Sequence, residues 1–400
     1  MFLDLIRRRN PRLIEAAIAL HQSGELPPST YVIDLEAVED NARAISAKAA
    51  SLGLTVMAMT KQMGREESFC RAVMRGGIKR SVAVDMQCAL ATKRAGMELG
   101  HIGHLVQIPK HEAESAAKLS PTWWTVFNTE KAAEAATASQ RLGREQSFLA
   151  RIRGENDQFY RGHEGGFPVS EIASVAATLD KAPGGRFAGI TTFPALLFDA
   201  ASRTVKPTPN LRTLRQASEI LARLGYRGVE INAPGTTSSV TLEALAEAGA
   251  TQVEPGHGLT GTTPLHVSGE LPEAPAVVYL TEVSHLSGEE AFCFGGGLYI
   301  DPVFPTYQLK AIVAREPRTD GSALRVVDIP TPDAIDYYGM IDARGPEKPD
   351  PGDSVIFGFR PQAFVTRAFV AGVSGLATDK PRVESISHSS GAKANWPPRQ

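Results

Sequence analysis

The 400-residue sequence predicts an α/β protein, a (β/α)8 TIM-type barrel followed by a mainly antiparallel C-terminal β domain. Three observations support this fold class. From residue 30 onward, short runs of β-forming residues alternate with helical patterns, which is typical of a parallel sheet. Eight such runs precede residue 260, and eight is the number that closes a barrel. After about residue 266 the helical pattern fades, and Gly, Pro and Asp turns separate apolar runs instead.

The eight runs are the predicted barrel strands. They lie at residues 55–61, 80–85, 101–107, 123–128, 147–153, 186–193, 227–233 and 251–256. The stretches between them have helical spacing, and Gly96 closes one of them where a C-cap belongs. An open doubly wound sheet is the alternative, because an error of one in the strand count would leave the barrel unclosed.

The order of the patterns divides the chain into four predicted segments. They are a helical lead-in, a cofactor-binding barrel, a β domain and a polar tail, at residues 1–28, 29–265, 266–384 and 385–400. In the lead-in, Asn10 and Pro11 have the character of a helix cap and first turn.

Composition excludes several classes of protein. With 42% hydrophobic and 22% charged residues and a net charge of -2, the chain resembles ordinary globular proteins, so we expect no nucleic-acid partner. No apolar run approaches the roughly 18 residues of a membrane span, and the first residues do not resemble a secretory signal. We therefore expect a cytoplasmic protein without membrane contact. Its three cysteines are scattered without CxxC spacing, which predicts neither disulfides nor a metal site.

Lys61 stands at the end of the first apolar run, at residues 55–60. Burying an ammonium group without a partner costs several kcal/mol, so a lysine in such a place tends to lose its proton or bind a ligand. A lysine of this kind can act as a nucleophile. The alternative is that Lys61 only marks the exit of the strand into solvent.

Two glycine-rich loops follow the seventh and eighth strands, where barrels commonly bind phosphate. Glycine lets backbone N–H groups approach an anion closely, and hydroxyl side chains add donors. Tight turns favour the same residues without any ligand, which is the alternative. The residues predicted to bind the phosphate group or to lie beside it are Asn232, Gly235, Thr236, Thr237, Gly256 and His257.

Glu254 ends the eighth strand, beside this predicted phosphate site. Its simplest role is an ion pair across the barrel. A lysine, a phosphate site and a carboxylate at neighbouring strand ends, however, match the needs of pyridoxal 5'-phosphate. Lys61 would form a Schiff base with the aldehyde, and Glu254 would keep the pyridine nitrogen protonated.

These residues resemble the alanine racemase-like family, the fold type III pyridoxal phosphate enzymes. The stretches that carry the resemblance lie at residues 31–41, 56–61, 189–194 and 253–256. Ser284 and His285, with the glycine-rich stretch at 294–302, are similar to the YhfX-like branch in particular. The resemblance implies a homodimer with shared active sites and a small amino acid or amine as substrate.

The chain also departs from the family pattern. Glu254 stands where alanine racemases have arginine and ornithine-type decarboxylases have glutamate, which implies a strongly electron-withdrawing ring. Phe193 replaces the histidine that stacks on the ring, and Phe364 falls near a tyrosine that contacts the phosphate. Pro332 occupies the place of the decarboxylases' cysteine acid, whereas Asp333 keeps the neighbouring carboxylate.

The resemblance also suggests a second catalytic group facing Lys61. His285 and Tyr299 are the candidates, the first because its side chain titrates near neutral pH and the second because it follows three glycines. Arg360 could pair with a substrate carboxylate and Asp333 with a substrate amine. Structural roles are the alternative for each of these residues.

The sequence therefore predicts a pyridoxal phosphate-dependent enzyme acting at the α carbon of an amino acid, as a racemase or epimerase. A lyase on the same cofactor, namely a decarboxylase, aldolase or dehydratase, is the first alternative. A non-catalytic carrier of the cofactor is the second, and the long segment after the barrel counts against it.

Overall fold

The computed structural model describes residues 1–300, 307–331, 333–345 and 347–397. Pro332 and residues 301–302, which entered the sequence comparison, lie outside this part of the chain. The chain divides into two compact units, called here the sheet unit and the barrel unit. The sheet unit comprises Met1–Ala42, Lys61–Ala72 and Leu259–Gln400, and the barrel unit comprises Arg43–Thr60 and Val73–Gly258.

Ten α-helices are found among the described residues. In chain order they are α1 Phe2–Arg9, α2 Pro11–Gln22, α3 Leu35–Ser51, α4 Glu67–Arg75, α5 Met86–Arg94, α6 Ala113–Lys118, α7 Thr129–Arg141, α8 Ile172–Lys181, α9 Pro209–Arg223 and α10 Leu242–Glu247. Asn10 precedes α2 as its N-cap and Pro11 begins it, as the sequence predicts. No helix of the described chain combines the length and apolar character needed to cross a membrane.

The described part of the chain also contains twenty β-strands. In chain order they are β1 Thr30–Asp34, β2 Thr55–Met59, β3 Arg80–Ala83, β4 Glu98–Ile102, β5 Trp123–Val126, β6 Gln146–Arg153, β7 Phe167–Pro168, β8 Gly185–Thr191, β9 Leu196–Asp199, β10 Thr204–Pro207, β11 Glu230–Asn232, β12 Gln252–Val253, β13 Val277–Ser287, β14 Glu290–Phe294, β15 Lys310–Ala314, β16 Leu324–Asp328, β17 Tyr338–Asp342, β18 Ser354–Phe357, β19 Phe369–Ser374 and β20 Arg382–His388.

The barrel unit is a closed parallel barrel, so the predicted fold class is confirmed and the open sheet is excluded. Its strands follow the order β5-β4-β3-β2-β12-β11-β8-β6, and β6 pairs with β5 to close the ring. All eight correspond to predicted strands, but most are shorter. The first ends at Met59 because the chain turns at Lys61 into a short 3₁₀ helix.

The barrel strands are buried along most of their length. β5 is buried at every residue, and β6 at all but its last, although the buried side chains include the polar Thr125 and the charged Arg151. An added hairpin of β9 and β10 follows β8 before the chain enters α9. This hairpin was not predicted, because its second strand is mostly exposed and lacks an apolar alternation.

The sheet unit is built on a nine-stranded sheet with the order β14-β17-β16-β15-β18-β13-β1-β19-β20. Its pairs are antiparallel except β1 with β19, which confirms the predicted β domain. β1 falls within the range predicted for the barrel, yet Thr30 pairs with Leu280 of β13. Every residue of β1 is buried, which fits a strand in the middle of a sheet with a helix packed on it.

Helices α1 and α2 contribute to the core of the sheet unit. In α2, Leu13, Ile14, Ala17 and Ile18 recur at helical spacing and join the buried cluster that contains Leu280.

The segment that begins at residue 385 differs from the predicted polar tail. Its first residues belong to β20, Ala394 is buried, and Trp396 Nε1 donates to the carbonyl of Gly24 at 3.1 Å. β20 pairs antiparallel with β19, although the tail as a whole is polar.

Candidate active site

A hydrogen-bonded network crosses the C-terminal ends of the barrel strands, with Glu254 at its centre. Glu254 directly follows β12, and its side chain is fully buried. Its Oε1 atom accepts a hydrogen bond from His101 Nδ1 at 2.6 Å and another from Asn232 Nδ2 at 2.9 Å. A carboxylate has no proton to give, so the histidine donates. The structure therefore joins Glu254 and Asn232, two of the predicted site residues, in one hydrogen-bonded group.

The network continues in both directions from Glu254. His101 Nε2 lies 2.6 Å from Thr125 Oγ1, and Asn232 Oδ1 accepts from Thr191 Oγ1 at 2.7 Å. The residues come from β4, β5, β8, β11 and the end of β12, and all are buried. We call these five residues, Thr125, His101, Glu254, Asn232 and Thr191, the Glu254 network.

A second histidine, His104, lies on the other side of the carboxylate. Its Nε2 is 3.4 Å from Glu254 Oε2, and its side chain is also buried. Burial raises the pKa of Glu254, but the charges of His104 and His101 and the hydrogen bonds from His101 and Asn232 outweigh burial and lower it overall. Glu254 is therefore ionised at neutral pH.

Neither histidine was predicted as a site residue. Their positions at the end of a barrel strand, three residues apart, were the available signal. His101, His104 and Glu254 offer ligand atoms within 4.8 Å of one another, as a metal site would require. Both ring nitrogens of His101 are engaged in hydrogen bonds of 2.6 Å, however, and this suits a network that holds protons. The expectation of no metal stays a prediction.

Phe193 lies just beyond the end of β8, in a cluster of rings. Its ring centroid is 5.8 Å from those of His104 and Tyr160 and 5.9 Å from that of His163. The ring of Phe193 is half-buried. A flat, partly accessible ring at a strand end is compatible with the ring contact predicted for this residue.

Arg151 of β6 is another buried residue that the sequence analysis did not single out. It donates from one terminal nitrogen to the carbonyl oxygens of His163 at 2.9 Å and Phe193 at 3.3 Å. The rings of Phe127 and Phe159 lie 4.9 and 5.6 Å from its guanidinium carbon. Burial lowers its pKa to about 10, partly countered by Asp157, so it keeps its charge at neutral pH.

The two glycine-rich loops of the predicted phosphate site pack closely against their surroundings. A Cβ atom on Gly235 would lie 2.6 Å from the backbone nitrogen of Leu196, and one on Gly258 would lie 2.5 Å from the carbonyl oxygen of Thr237. Thr236 N donates to Leu196 O at 3.1 Å, and Thr237 Oγ1 donates to Gly235 O at 3.2 Å. A side chain at either position would require the neighbouring backbone to move, so glycine is the residue that fits there.

The chain after each loop is helical. A 3₁₀ helix at Ser239–Thr241 leads into α10, close to the predicted helix start, and a second 3₁₀ helix spans His257–Thr260. Thr237 and His257 are buried, whereas Gly256 is half-buried. Glycines, hydroxyls and short helical turns thus occur together in the two loops, and these residue types fit a phosphate group.

Lys61 belongs to the sheet unit and begins the 3₁₀ helix Lys61–Met63. It is half-buried, and its Nζ atom lies 4.9 Å from the ring centroid of Phe364. The guanidinium carbon of Arg65 lies 5.8 Å from the same ring. The lysine therefore packs on an aromatic face, which is a more restricted setting than an exit into open solvent.

The remaining predicted site residues are spread over the sheet unit. His285 is exposed on β13, where its ring stacks on Phe292 at 4.7 Å. Asp333 is exposed, and a hydrogen bond from Thr331 lowers the pKa of its carboxyl. Tyr299 and Arg360 are half-buried. The catalytic and substrate-binding roles of these residues stay predictions.

Comparisons with known proteins agree with this geometry. Residues 33–264 match the family described as "Alanine racemase, N-terminal domain", and residues 278–383 match "YhfX-like, C-terminal domain". The "Uncharacterized protein YhfX" of Escherichia coli (strain K12) is 36% identical over 396 residues, which cover 98% of this chain and 100% of that protein.

Solved structures show the same fold at low sequence identity. D-threonine aldolase from Filomicrobium marinum has a TM-score of 0.65 at 16% identity, covering 92% of this chain and 96% of that one. D-threo-3-hydroxyaspartate dehydratase from Delftia sp. HT23 has a TM-score of 0.63 at 16% identity, covering 90% and 97%. Alanine racemase from Clostridium difficile 630, in complex with cycloserine, has a TM-score of 0.62 at 13% identity, covering 90% and 98%. The chain therefore belongs to the alanine racemase-like family of pyridoxal phosphate-dependent fold type III enzymes, in its YhfX-like branch.

Proposed function

We propose that this chain is a pyridoxal phosphate-dependent racemase or epimerase that acts at the α carbon of an amino acid. The observation that supports pyridoxal phosphate chemistry at the α carbon is the buried, ionised Glu254 at the C-terminal ends of the barrel strands, held by His101 and Asn232. A carboxylate of this kind can keep a pyridine nitrogen protonated, and a protonated ring withdraws electrons strongly.

The strand order supports assigning Lys61 and Glu254 to one cofactor. β2 pairs with β12 through Val56 and Val253, and Met59 N donates to Pro255 O at 2.9 Å. Lys61 follows the end of β2 by two residues, and Glu254 follows β12 directly. The two residues are thus connected to neighbouring strand ends of the barrel.

Each predicted residue then has a distinct task. Lys61 would bind the aldehyde carbon covalently, and the loops at Gly235–Thr237 and Gly256–His257 would hold the phosphate through backbone N–H groups and hydroxyls. Phe193 would contact the flat ring. When bound, pyridoxal phosphate supplies an acceptor for the electrons released at the α carbon.

Proton transfer at the α carbon is the step that the chain itself must perform. The amine of Lys61 would take a proton from the α carbon on one face. Racemisation needs a second group on the other face, and we propose His285 or Tyr299 for it. Arg360 would pair with the substrate carboxylate and Asp333 with a second polar group of the substrate.

The cofactor assignment is tested by borohydride reduction of the purified protein followed by peptide mapping. We expect one reduced pyridoxyl adduct on Lys61, and loss of the visible cofactor absorption in Lys61→Ala. An adduct elsewhere, or unchanged absorption in the variant, would refute the role of Lys61.

Solvent deuterium separates racemisation from lyase chemistry. A racemase exchanges the α hydrogen of its substrate for deuterium while the carbon skeleton and amino group stay intact. Stoichiometric release of carbon dioxide, ammonia or an aldehyde would instead support the alternative, a decarboxylase, dehydratase or aldolase on the same cofactor. The ionised Glu254 supports either reaction, because both pass through a charge at the α carbon.

We further propose a cytoplasmic homodimer that acts on a small amino acid or amine. The family supports the dimer, and the amino acid names of the aldolase, the dehydratase and the racemase that share its fold support the substrate class. The nearly balanced charge, with a net value of -2, gives no support to a nucleic-acid partner.

A further inference from the structure

More polar side chains surround Glu254 than a carboxylate at a strand end requires. A buried carboxylate is costly unless hydrogen bonds or opposite charges offset the loss of water. Oε1 already accepts two hydrogen bonds, from His101 and Asn232. Oε2 accepts no hydrogen bond from the described residues, although His104 Nε2 lies 3.4 Å away. Oε2 therefore keeps a lone pair that a ligand could use.

The orientation of His101 is fixed from its far side. Its Nε2 lies 2.6 Å from the hydroxyl of Thr125, which is buried and can donate to it. Because Glu254 is an acceptor, Nδ1 carries the proton of this hydrogen bond, and the hydroxyl of Thr125 contacts the opposite ring nitrogen. Thr125 and Glu254 thus hold the His101 ring between them, with Nδ1 directed at Glu254.

His104 contributes in a different way. At 3.4 Å its nitrogen is too distant for a strong hydrogen bond but close enough to act on the carboxylate through its charge or dipole. It also packs against Phe193, with ring centroids 5.8 Å apart at an interplanar angle of 86°. The two histidines therefore act on different oxygens of the same group.

We propose that His101 and His104 are positioning residues that act through Glu254. They hold Glu254 as an anion whose Oε2 atom accepts a hydrogen bond from the protonated ring nitrogen of pyridoxal phosphate. This inference rests on the proposed function, because it concerns the cofactor assigned there. It adds the residues that set the protonation state of the ring, and therefore its power to withdraw electrons.

The test measures the ring nitrogen itself. The protein is loaded with pyridoxal phosphate labelled with ¹⁵N at the ring nitrogen, and the ¹⁵N chemical shift is recorded, since protonated and unprotonated pyridine nitrogens resonate far apart. We expect the protonated shift in the unaltered holoenzyme. In His101→Leu and in His104→Leu the proton should move toward Glu254, and the signal should shift toward the unprotonated position.

Two further variants separate positioning from simple damage to the fold. His101→Asn can still donate an N–H to Glu254, so it should restore much of the protonated signal that His101→Leu loses. His266→Leu is the matched control, because His266 and Glu273 form another fully buried pair, in the sheet unit, with Nε2 and Oε2 3.6 Å apart. This control should keep the protonated shift.

Thr125→Val keeps the test decisive if the leucine variants do not fold. It replaces the hydroxyl by a methyl of similar size and removes the hydrogen bond to His101, so a partial shift in the same direction is expected. Retention of the protonated shift in every folded variant of His101, His104 and Thr125 would overturn the inference and leave the proposed function standing. Absence of bound cofactor in the unaltered protein would overturn both.

Discussion

Glu254 shows how a residue acquires its chemistry from partners far away in the chain. Its oxygen binds Asn232, 22 residues earlier, and His101, 153 residues earlier. Each partner is unremarkable in sequence, since a lone histidine or asparagine in a strand has many possible structural roles. The combination produces an ionised group in a buried place, which is the feature on which the proposed function depends.

The lowered pKa of Glu254 predicts a pH-dependent contribution to stability. A carboxyl with a lowered pKa stabilises the folded state above its ordinary value of 4.5, and this contribution is lost as the pH falls through the folded-state pKa. The unfolding free energy of the protein should therefore exceed that of Glu254→Gln at pH 7, and the difference should shrink on acidification. Urea unfolding at several pH values measures it, and a difference that grows with acid would contradict the assignment.

The thiols give a second prediction at this scale. Cys70, Cys88 and Cys293 are buried, and burial raises the pKa of Cys293 to about 12. Since the thiolate is the reactive form, the native protein should react with a thiol reagent at pH 8 far more slowly than the unfolded protein. The unfolded chain, with three reactive cysteines, is the control. Rapid labelling of a native thiol would show that the local structure opens readily.

At the scale of the elements, β13 connects the core of the sheet unit to its edge. Leu280 is fully buried and belongs to the core cluster, whereas Leu286 of the same strand is 39% exposed. Two leucines of one strand thus have very different surroundings, because β13 extends past the core into a hairpin with β14.

This difference predicts unequal costs for the same substitution. Leu280→Ala should lower the unfolding free energy by about 2–5 kcal/mol, since it leaves a cavity among well-packed side chains. Leu286→Ala, the matched control, should lower it by only about 0.5 kcal/mol. Chemical denaturation measures both changes in unfolding free energy. Equal changes would show that Leu280 does not lie in the core.

The loops after β11 and β12 give a prediction that concerns binding. Ala at position 258 would bring a Cβ to 2.5 Å from Thr237 O, so the two loops would have to separate. If these loops hold the cofactor phosphate, Gly258→Ala should weaken pyridoxal phosphate binding by about tenfold or more, equivalent to about 1.4 kcal/mol.

Gly269→Ala is the control for that substitution, because no atom lies within 4 Å of a Cβ added at Gly269. Titration of both cofactor-free variants with pyridoxal phosphate, followed by visible absorption, gives the two affinities. Equal affinities would place the phosphate outside these loops.

At the scale of the whole molecule, the family relationship predicts an assembly. We expect the purified protein to form a homodimer, as proposed above, with twice the mass of the 400-residue chain. Size-exclusion chromatography with light scattering measures that mass, and a dilution series tests whether it is stable. A monomeric mass with full activity would contradict the proposal that the active sites are shared.

The sequence predicted the barrel well because barrel strands are local features. Each is a short apolar run followed by a helix, so eight of them could be recognised one by one, although most of their ends were placed too far along the chain. The position of β1 could not be recognised in this way, since Tyr31 and its neighbours would suit a buried strand in either sheet. Pairing with Leu280 decided the matter, and that contact spans most of the chain.

The sequence by itself determined the fold class, the family and the residues that stand at strand ends, Lys61 and Glu254 among them, because patterns and motifs are written along the chain. Only the tertiary structure decided which side chains surround Glu254. His101, His104 and Thr125 lie on or just after neighbouring barrel strands, and barrel closure brings them around one carboxylate. Burial and proximity set the ionisation of that carboxylate, and both arise only when distant strands pair.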